Sequence, residues 1–303
     1  MIIYLFSDFC KCLLKFFEFM IQFIYNKFSG SDVKMKKIGF IGCGNMAKPI
    51  IRNVAEKNVF DKEDIYVYDI DKEKLRQFCN ANGINEAESE NDIALLCDVV
   101  VLCTKPQVFP ELLPVIKDSL KVKKPLVVSI AAGNTTDYIS SFLDYDAPVA
   151  RIFPNLNAEV CEAVSAYTGN CFVTDEQLAK VCEICASYGE AKHLDESLFS
   201  VFGVLGGCVP AYAFMFIGAL GKAGKANGLS DAIARDVAVQ AVLGSAKLLK
   251  ECGGDIDSWV NKVCSPGGTT IQGINSLRES DLEKTVADAF YKSYKRDIEL
   301  SGN

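Results

Sequence analysis

The chain has little histidine and little tryptophan, one of each in 303 residues. The single histidine, His193, lies in a late strand-like stretch, apart from every glycine-rich motif. Dehydrogenases acting on alcohols or hydroxy acids commonly need a strong acid–base partner for the oxygen, and one isolated histidine is a poor candidate. Excess positive charge is also lacking. Against 39 Asp and Glu there are 32 Lys and Arg, a net charge of −7. No nucleic-acid partner is therefore expected, because phosphate backbones need a basic surface. The first 34 residues lack a long uninterrupted apolar run too. A membrane-spanning helix needs ~20 apolar residues, and in the Phe-, Ile- and Leu-rich first 34 residues Asp8, Lys11, Lys15, Glu18 and Lys27 break the run. That stretch has no basic start and no small-residue cleavage site, so a secretory signal is a poor reading. Metal-ligand spacing is absent as well. The thirteen cysteines are scattered, and Cys182 and Cys185 form a CxxC with no second pair to complete a zinc set. No metal is expected.

Half of the residues are hydrophobic and 23% are charged, which is globular composition with ample material for a core. The length suggests about two domains at ~150 residues each. Scattered cysteines used as small apolar residues fit a reducing, cytoplasmic compartment. Residues 1–34 admit three readings: an amphipathic segment, an anchor with unusual charges, or upstream sequence preceding a true start at Met35. The last is favoured, since Met35-Lys36-Lys37 leads directly into a strand. Membrane contact is not expected, and would come only through residues 1–34.

From Ile38 to Ile41 the sequence IGFI reads as a buried strand, followed by Gly42-Cys43-Gly44-Asn45-Met46-Ala47 and a helix to about Lys57. This is G-x-G-x-x-A between strand and helix. Gly42 permits the tight turn, Gly44 lets a pyrophosphate approach the backbone, and Ala47 lets the helix pack on the sheet. The helix N-terminus offers free N–H groups to the phosphates. A second strand, Asp64 to Ile70, brings Asp69 to its end, 27 residues after Gly42. A carboxylate there suits the ribose hydroxyls and repels a 2′-phosphate. No arginine follows it, so the cofactor is read as NADH or NADPH, leaning to NADH. The plain alternative is that Asp69 caps the next helix. Further strands are expected at Val99–Cys103, Leu126–Ile130, Val149–Phe153, Val164–Tyr167 and Ala191–Leu194, making a Rossmann-type, doubly wound parallel sheet over residues 35–196.

Glycine- and alanine-rich helical patterns replace strands from Leu198 onward. Helices are expected from Pro210 to Asn227 with Gly228 as the stop, from Asp231 to Lys250 behind a Ser230 cap, from Asp255 to Val263, then to about Arg278 after Ser265-Pro266-Gly267-Gly268-Thr269-Thr270. Ser280 would cap a last helix to about Glu299. Residues 197–303 thus form an all-helical second domain.

Seven ordered segments, IGFIGCGNMA, TKPQ, SIAAG, RIFPN, PAYAFMFIGALGKAGKANGL, QAVLGSAKLL and SPGGTTIQGI, resemble the pyrroline-5-carboxylate reductase family from Met35 to about Glu299. The resemblance implies a Rossmann domain with a helical dimerisation and substrate domain, NAD(P)H-dependent synthesis of proline from a cyclic imino acid, and a homodimer or ring of dimers. It further implies that Thr270 contacts the ring nitrogen, that Ser265, Gly267, Gly268 and Thr269 hold the carboxylate, and that Lys105, Pro106 and Asn155 join Gly42, Gly44, Asn45, Met46, Ala47 and Asp69 around the cofactor. An imine nitrogen takes a proton from solvent, so positioning and polarisation matter most, a task open to a chain poor in histidine. The SPGGTT segment also reads as a plain helix cap. Two segments depart from the family pattern: Gly206-Gly207-Cys208-Val209 stands where S-G-S-G is usual, and Leu156-Asn157 follows Asn155. Rival readings are another imine or 3-hydroxyacid reductase on the same scaffold, and a non-catalytic nucleotide-binding regulatory homologue. The lysine–asparagine pair of the hydroxyacid enzymes is missing, because Lys222 is followed by Lys225, and Lys225 by Gly228.

Overall fold

A computed structural model describes residues 35–301. The readings made for residues 1–34 fall outside the described residues. The first part is an open sheet wrapped by helices. β1 (Ile38–Ile41), β2 (Ile65–Tyr68), β3 (Asn85–Glu86), β4 (Val99–Leu102), β5 (Leu126–Ser129), β6 (Val149–Phe153), β7 (Ala163–Gly169) and β8 (Gly189–His193) form one eight-stranded sheet in the order β3-β2-β1-β4-β5-β6-β7-β8. Helices α1 (Ala47–Glu56), α2 (Lys72–Asn82), α3 (Glu90–Leu96), α4 (Phe109–Lys123), α5 (Thr136–Ser140) and α6 (Asp175–Ala186) connect them. β1, β4 and β5 are buried at every position, as strands covered on both faces must be. Ile93, Val100, Phe109, Leu113, Ile116 and Val127 belong to one continuous core cluster between strands and helices.

The sheet departs from an all-parallel expectation at one place. β7 pairs antiparallel with β6, while every other pairing is parallel. Only residues 154–162 join β6 to β7, and a parallel return needs a crossover of a dozen or more residues. β3 was not expected from the sequence, since it has two residues and no apolar side chain. His193 lies exposed on the edge strand β8, stacked on Tyr167 at 5.3 Å between ring centres.

Past β8 the chain is helical. A 3₁₀ turn at Glu196–Leu198, α7 (Phe199–Phe202), a π-helical turn (Gly203–Cys208) and α8 (Val209–Ala226) follow without a break. Then come α9 (Asp231–Cys252), α10 (Ile256–Val263), α11 (Thr269–Glu279) and α12 (Leu282–Ser301). Ser230 caps α9 by accepting from the Ile233 amide, and Gly228 (φ +103°) turns the chain after α8. Ser280 does not cap the last helix as expected. It ends α11, and Asp281 (φ +50°) makes the turn into α12.

Two contacts seat this rod on the sheet. Arg151, buried on β6, donates to Glu196 at 3.1 Å, and the Thr136 amide and hydroxyl donate to the same carboxylate at 2.9 and 2.8 Å. Asn155, just past β6, donates from Nδ2 to the Gly206 carbonyl at 2.8 Å. Beyond the seat, α8 and α9 are mostly exposed. Phe214, Met215, Leu220, Ile233, Val237 and Leu243 are all more than two-fifths uncovered.

Candidate active site

The glycine loop leaves β1 and enters α1 as the motif requires. Gly42 adopts φ +105°, and a Cβ there would lie 3.0 Å from the Cys103 backbone, so a side chain would be strained twice over. Gly44 has nothing within 4 Å of where its Cβ would be, which leaves its backbone open to a phosphate. Met46 stands at the N-cap of α1 with no side-chain cap, and Ala47 is buried against the sheet. The N-terminal N–H groups of α1 therefore point at open space above the loop. Burial pushes the Cys43 thiol up to about 11, so it stays protonated and leaves the loop uncharged.

Asp69 follows β2 and is tied to the loop. One carboxylate oxygen accepts from the Cys43 amide at 2.7 Å, the other from the Asp71 amide at 2.9 Å. It does not cap α2. Asp71 does that, accepting from the Lys74 amide and pairing with the Lys74 ammonium at 2.6 Å. Hydrogen bonds from Lys74 hold the exposed Asp71 carboxyl below its usual range. The carboxylate of Asp69 thus stands at the end of β2 beside the glycine loop, while the charge of Asp71 is offset by Lys74.

Lys105 is exposed and leads into a 3₁₀ turn, Pro106–Val108, after β4. The residue before it was missed by sequence reasoning. Thr104 Oγ1 is buried without a hydrogen-bond partner among the described residues, and so are Asn134 Nδ2 and Asn155 Oδ1. Thr104 follows β4, Asn134 follows β5 and Asn155 follows β6. Unpaired buried polar atoms are costly and uncommon. Here they follow the carboxyl ends of three neighbouring strands, where open α/β sheets bind ligands. The signal in the sequence was a lone polar residue just past an apolar strand.

A cleft of about 620 Å³ opens beside the loop. Met46, Phe153, Pro154 and Asn155 line it from the sheet, Gly203, Gly207 and Cys208 from the π-helical turn, and Lys292 and Arg296 from α12. The departure at Gly206–Val209 is thus read in structure as a π-helical turn at the cleft wall. Phe153 fills the notch made by the missing side chains, since a Cβ at Gly203 or Gly207 would lie 2.7 or 3.1 Å from its ring.

The SPGGTT segment lies elsewhere. Ser265, Gly267, Thr269 and Thr270 are exposed, Gly267 turns at φ +70°, and the Gly268 amide donates to the Ser265 carbonyl at 3.0 Å. Gly268 caps α11 with no side-chain bond, so Ser265 is not the plain cap that the sequence also allowed. Thr270 borders a separate apolar cavity of about 320 Å³, with Leu248, Trp259, Val260 and Ile274 among its walls. None of these six residues lines the cleft in its own chain.

Comparison with known proteins decides the family. The pyrroline-5-carboxylate reductase of Escherichia coli is 38% identical over 266 residues, which cover 88% of this chain and 98% of the relative. This chain belongs to the pyrroline-5-carboxylate reductase family. Residues 196–300 match the family described as pyrroline-5-carboxylate reductase dimerisation, and residues 37–133 match NADP oxidoreductase coenzyme F420-dependent. Among solved structures, the pyrroline-5-carboxylate reductase of Coxiella burnetii aligns with TM-score 0.83 at 30% identity, covering 88% of this chain and 99% of that one. The Plasmodium falciparum pyrroline carboxylate reductase with NADP bound aligns with TM-score 0.79 at 26% identity, covering 88% and 98%.

As a pyrroline-5-carboxylate reductase family member, the protein is an oxidoreductase that uses a nicotinamide cofactor, and it is a homo-oligomer. Its exposed apolar helices agree with that assembly. The run Glu196–Ala226 is long and apolar enough to cross a membrane by length and composition, with a mean hydropathy of 1.8 and only 22% of its most apolar window buried. The matched dimerisation region includes that run, which agrees with a bare face kept for a second copy.

Proposed function

We propose that the protein reduces the ring C=N of 1-pyrroline-5-carboxylate to give L-proline, in a cytoplasmic compartment, with NADH preferred over NADPH. When bound, the reduced nicotinamide supplies the hydride. Gly42, Gly44, Asn45, Met46 and Ala47 receive the pyrophosphate through backbone N–H groups. Asp69 takes the ribose hydroxyls, and Lys105, Pro106 and Asn155 border the nicotinamide end. The open backbone at Gly44 and the unpaired Thr104, Asn134 and Asn155 atoms support this cradle. The NADH preference rests on Asp69, whose negative charge repels a 2′-phosphate, while Lys74 is engaged by Asp71.

The substrate side is built from Ser265, Gly267, Gly268, Thr269 and Thr270. Free backbone N–H groups at the start of α11 hold the carboxylate, and the Thr270 hydroxyl donates to or relays a proton at the ring nitrogen. We assign these residues to the cleft of a second copy of the chain. The observation that carries this is their position, since all five lie outside the cleft lining of their own chain, in the helical region with bare apolar faces. The chain divides accordingly into a dinucleotide-binding region, residues 35–196, and a helical dimerisation and substrate region, residues 197–303.

The deciding experiment is NADH oxidation by the purified protein with pyrroline-5-carboxylate, followed by absorbance with NADPH in parallel and proline identified as product. Turnover with NADH supports the whole reading. Turnover with NADPH alone keeps the reaction and removes the argument from Asp69. No turnover in a folded, cofactor-binding protein would indicate a non-catalytic homologue.

A further inference from the structure

Asn155 is 5% exposed and lines the cleft. Its side chain is held by one bond, from Nδ2 to the Gly206 carbonyl at 2.8 Å, and its Oδ1 is buried with no partner. A carbonyl oxygen can only accept, so the bond fixes which end of the amide faces Gly206. Two features make the Gly206 carbonyl available. The turn from Gly203 to Cys208 is π-helical, which breaks the α-helical pairing. The residue whose N–H would close an α-helical bond onto Gly206 is Pro210, which has no N–H. The helix therefore leaves a carbonyl for Asn155, and Asn155 keeps a fixed, unpaired acceptor at the wall of the cleft.

Resting on the reductase reading above, we propose that Asn155 is a specificity-determining residue whose Oδ1 accepts a hydrogen bond from an N–H donor of the bound ligands. The protonated ring nitrogen of a cyclic imine is such a donor, its single N–H shared between Asn155 and the Thr270 hydroxyl, and the carboxamide NH₂ of nicotinamide is another. A carbonyl substrate of the same shape offers only lone pairs, which would meet the Oδ1 lone pairs with no proton between them. The acceptor thus favours a protonated imine over its oxo analogue. It also gives Pro210 a function, since that proline keeps the Gly206 carbonyl from being taken up by the helix.

The test is steady-state imine reduction and direct cofactor titration by protein-fluorescence quenching, on the whole protein, for wild type, Asn155→Leu and Pro210→Ala. Asn155→Leu keeps the volume and removes the acceptor. A fall in kcat/KM of about ten-fold or more with an unchanged cofactor Kd supports the assignment with the imine as donor. A matching rise in cofactor Kd supports it with the carboxamide as donor. Pro210→Ala gives the helix a donor for Gly206 and leaves Asn155 in place, so a smaller loss in the same parameter is expected. Values within about two-fold of wild type for Asn155→Leu in both assays overturn the proposal, and if that variant does not fold, the same result for Pro210→Ala does so. A wild type that binds cofactor without reducing the imine would overturn the activity instead, and the cofactor Kd of Asn155→Leu would still decide whether the acceptor is used.

Discussion

Strands β1, β2, β4, β5 and β6 and helices α8 and α9 all carry many apolar side chains, yet they dispose of them differently. In the sheet, Phe40, Val67, Val101, Val128 and Ile152 are 0–1% exposed. In the helices, Met215 is 81% exposed, Phe214 60% and Val237 57%, and only small residues such as Ala234 and Ala238 are buried. An apolar side chain left in water forgoes roughly 1.5–3 kcal/mol each, and a bare patch of this extent marks an interface. One region completes its core within the chain; the other is half of a core. The glycine loop lies in the first and the SPGGTT segment in the second, so the proposed site would need both kinds of completion.

Subunit mixing would break this comparison most directly. Thr270→Ala is expected to lower turnover by ~10²-fold with little change in cofactor affinity, and Gly42→Val to abolish cofactor binding through the strained loop. If each site takes Thr270 from a second copy, an equal mixture of the two inactive variants refolded together regains about a quarter of wild-type activity, since half of random dimers are mixed and each has one intact site. No recovery in mixed dimers would place Thr270 with the cleft of its own chain. Next in size is Met215→Glu with Phe214→Glu. Buried unpaired charge at an interface costs several kcal/mol, so light scattering should show single chains, and activity should fall with the mass. A variant that stays assembled would show that this face is not the contact.

Within the sheet half, Asp69→Asn should shift the NADH-to-NADPH ratio of kcat/KM toward NADPH by about ten-fold, or about 1.4 kcal/mol, because it removes charge and keeps an acceptor for the Cys43 amide. An unmoved ratio would leave the preference to other groups. The smallest effect belongs to Asp98, which accepts from the Lys36 and Lys37 amides and from Lys123 at 2.9, 3.0 and 2.7 Å. Burial pushes its carboxyl upward, but the Lys123 ammonium and the two amides outweigh this and hold it below the usual range. A depressed folded value means stability present above pH ~4 and lost as the pH falls through the folded value. Asp98→Asn should therefore lower the unfolding free energy at neutral pH by about 1 kcal/mol or less, read as a lower Tm, and converge on wild type in acid. A constant gap across pH would point to packing rather than charge.

Much of the cradle was legible because its requirements are local. A tight turn, a bare backbone and a small residue under a helix are each written as Gly42, Gly44 and Ala47, and a strand end is written as Asp69. The reversal of β7 was less visible, since it follows from a connection length that only counts once the strand ends are fixed. Thr104 and Asn134 were passed over because a polar residue after a strand is ordinary until its neighbours fail to pair with it. For Thr270 the resemblance of its motif implied a chemical role but no address. Sequence order cannot say which copy of a chain a loop will face when the helices between cleft and loop are themselves half of an interface.

The rod that begins at Glu196 and ends at Ala226 gives the molecule a mechanical property. Its near end is clasped by Arg151 and Asn155 at the wall of the cleft, and its far end lies on the bare apolar face. The long regular part, α8, leaves the π-helical turn as a stiff arm, so a displacement of its far end would tilt the Gly206 carbonyl that orients Asn155. Dilution to the point of dissociation would then be felt in the grip on the ligand as well as in the number of complete sites.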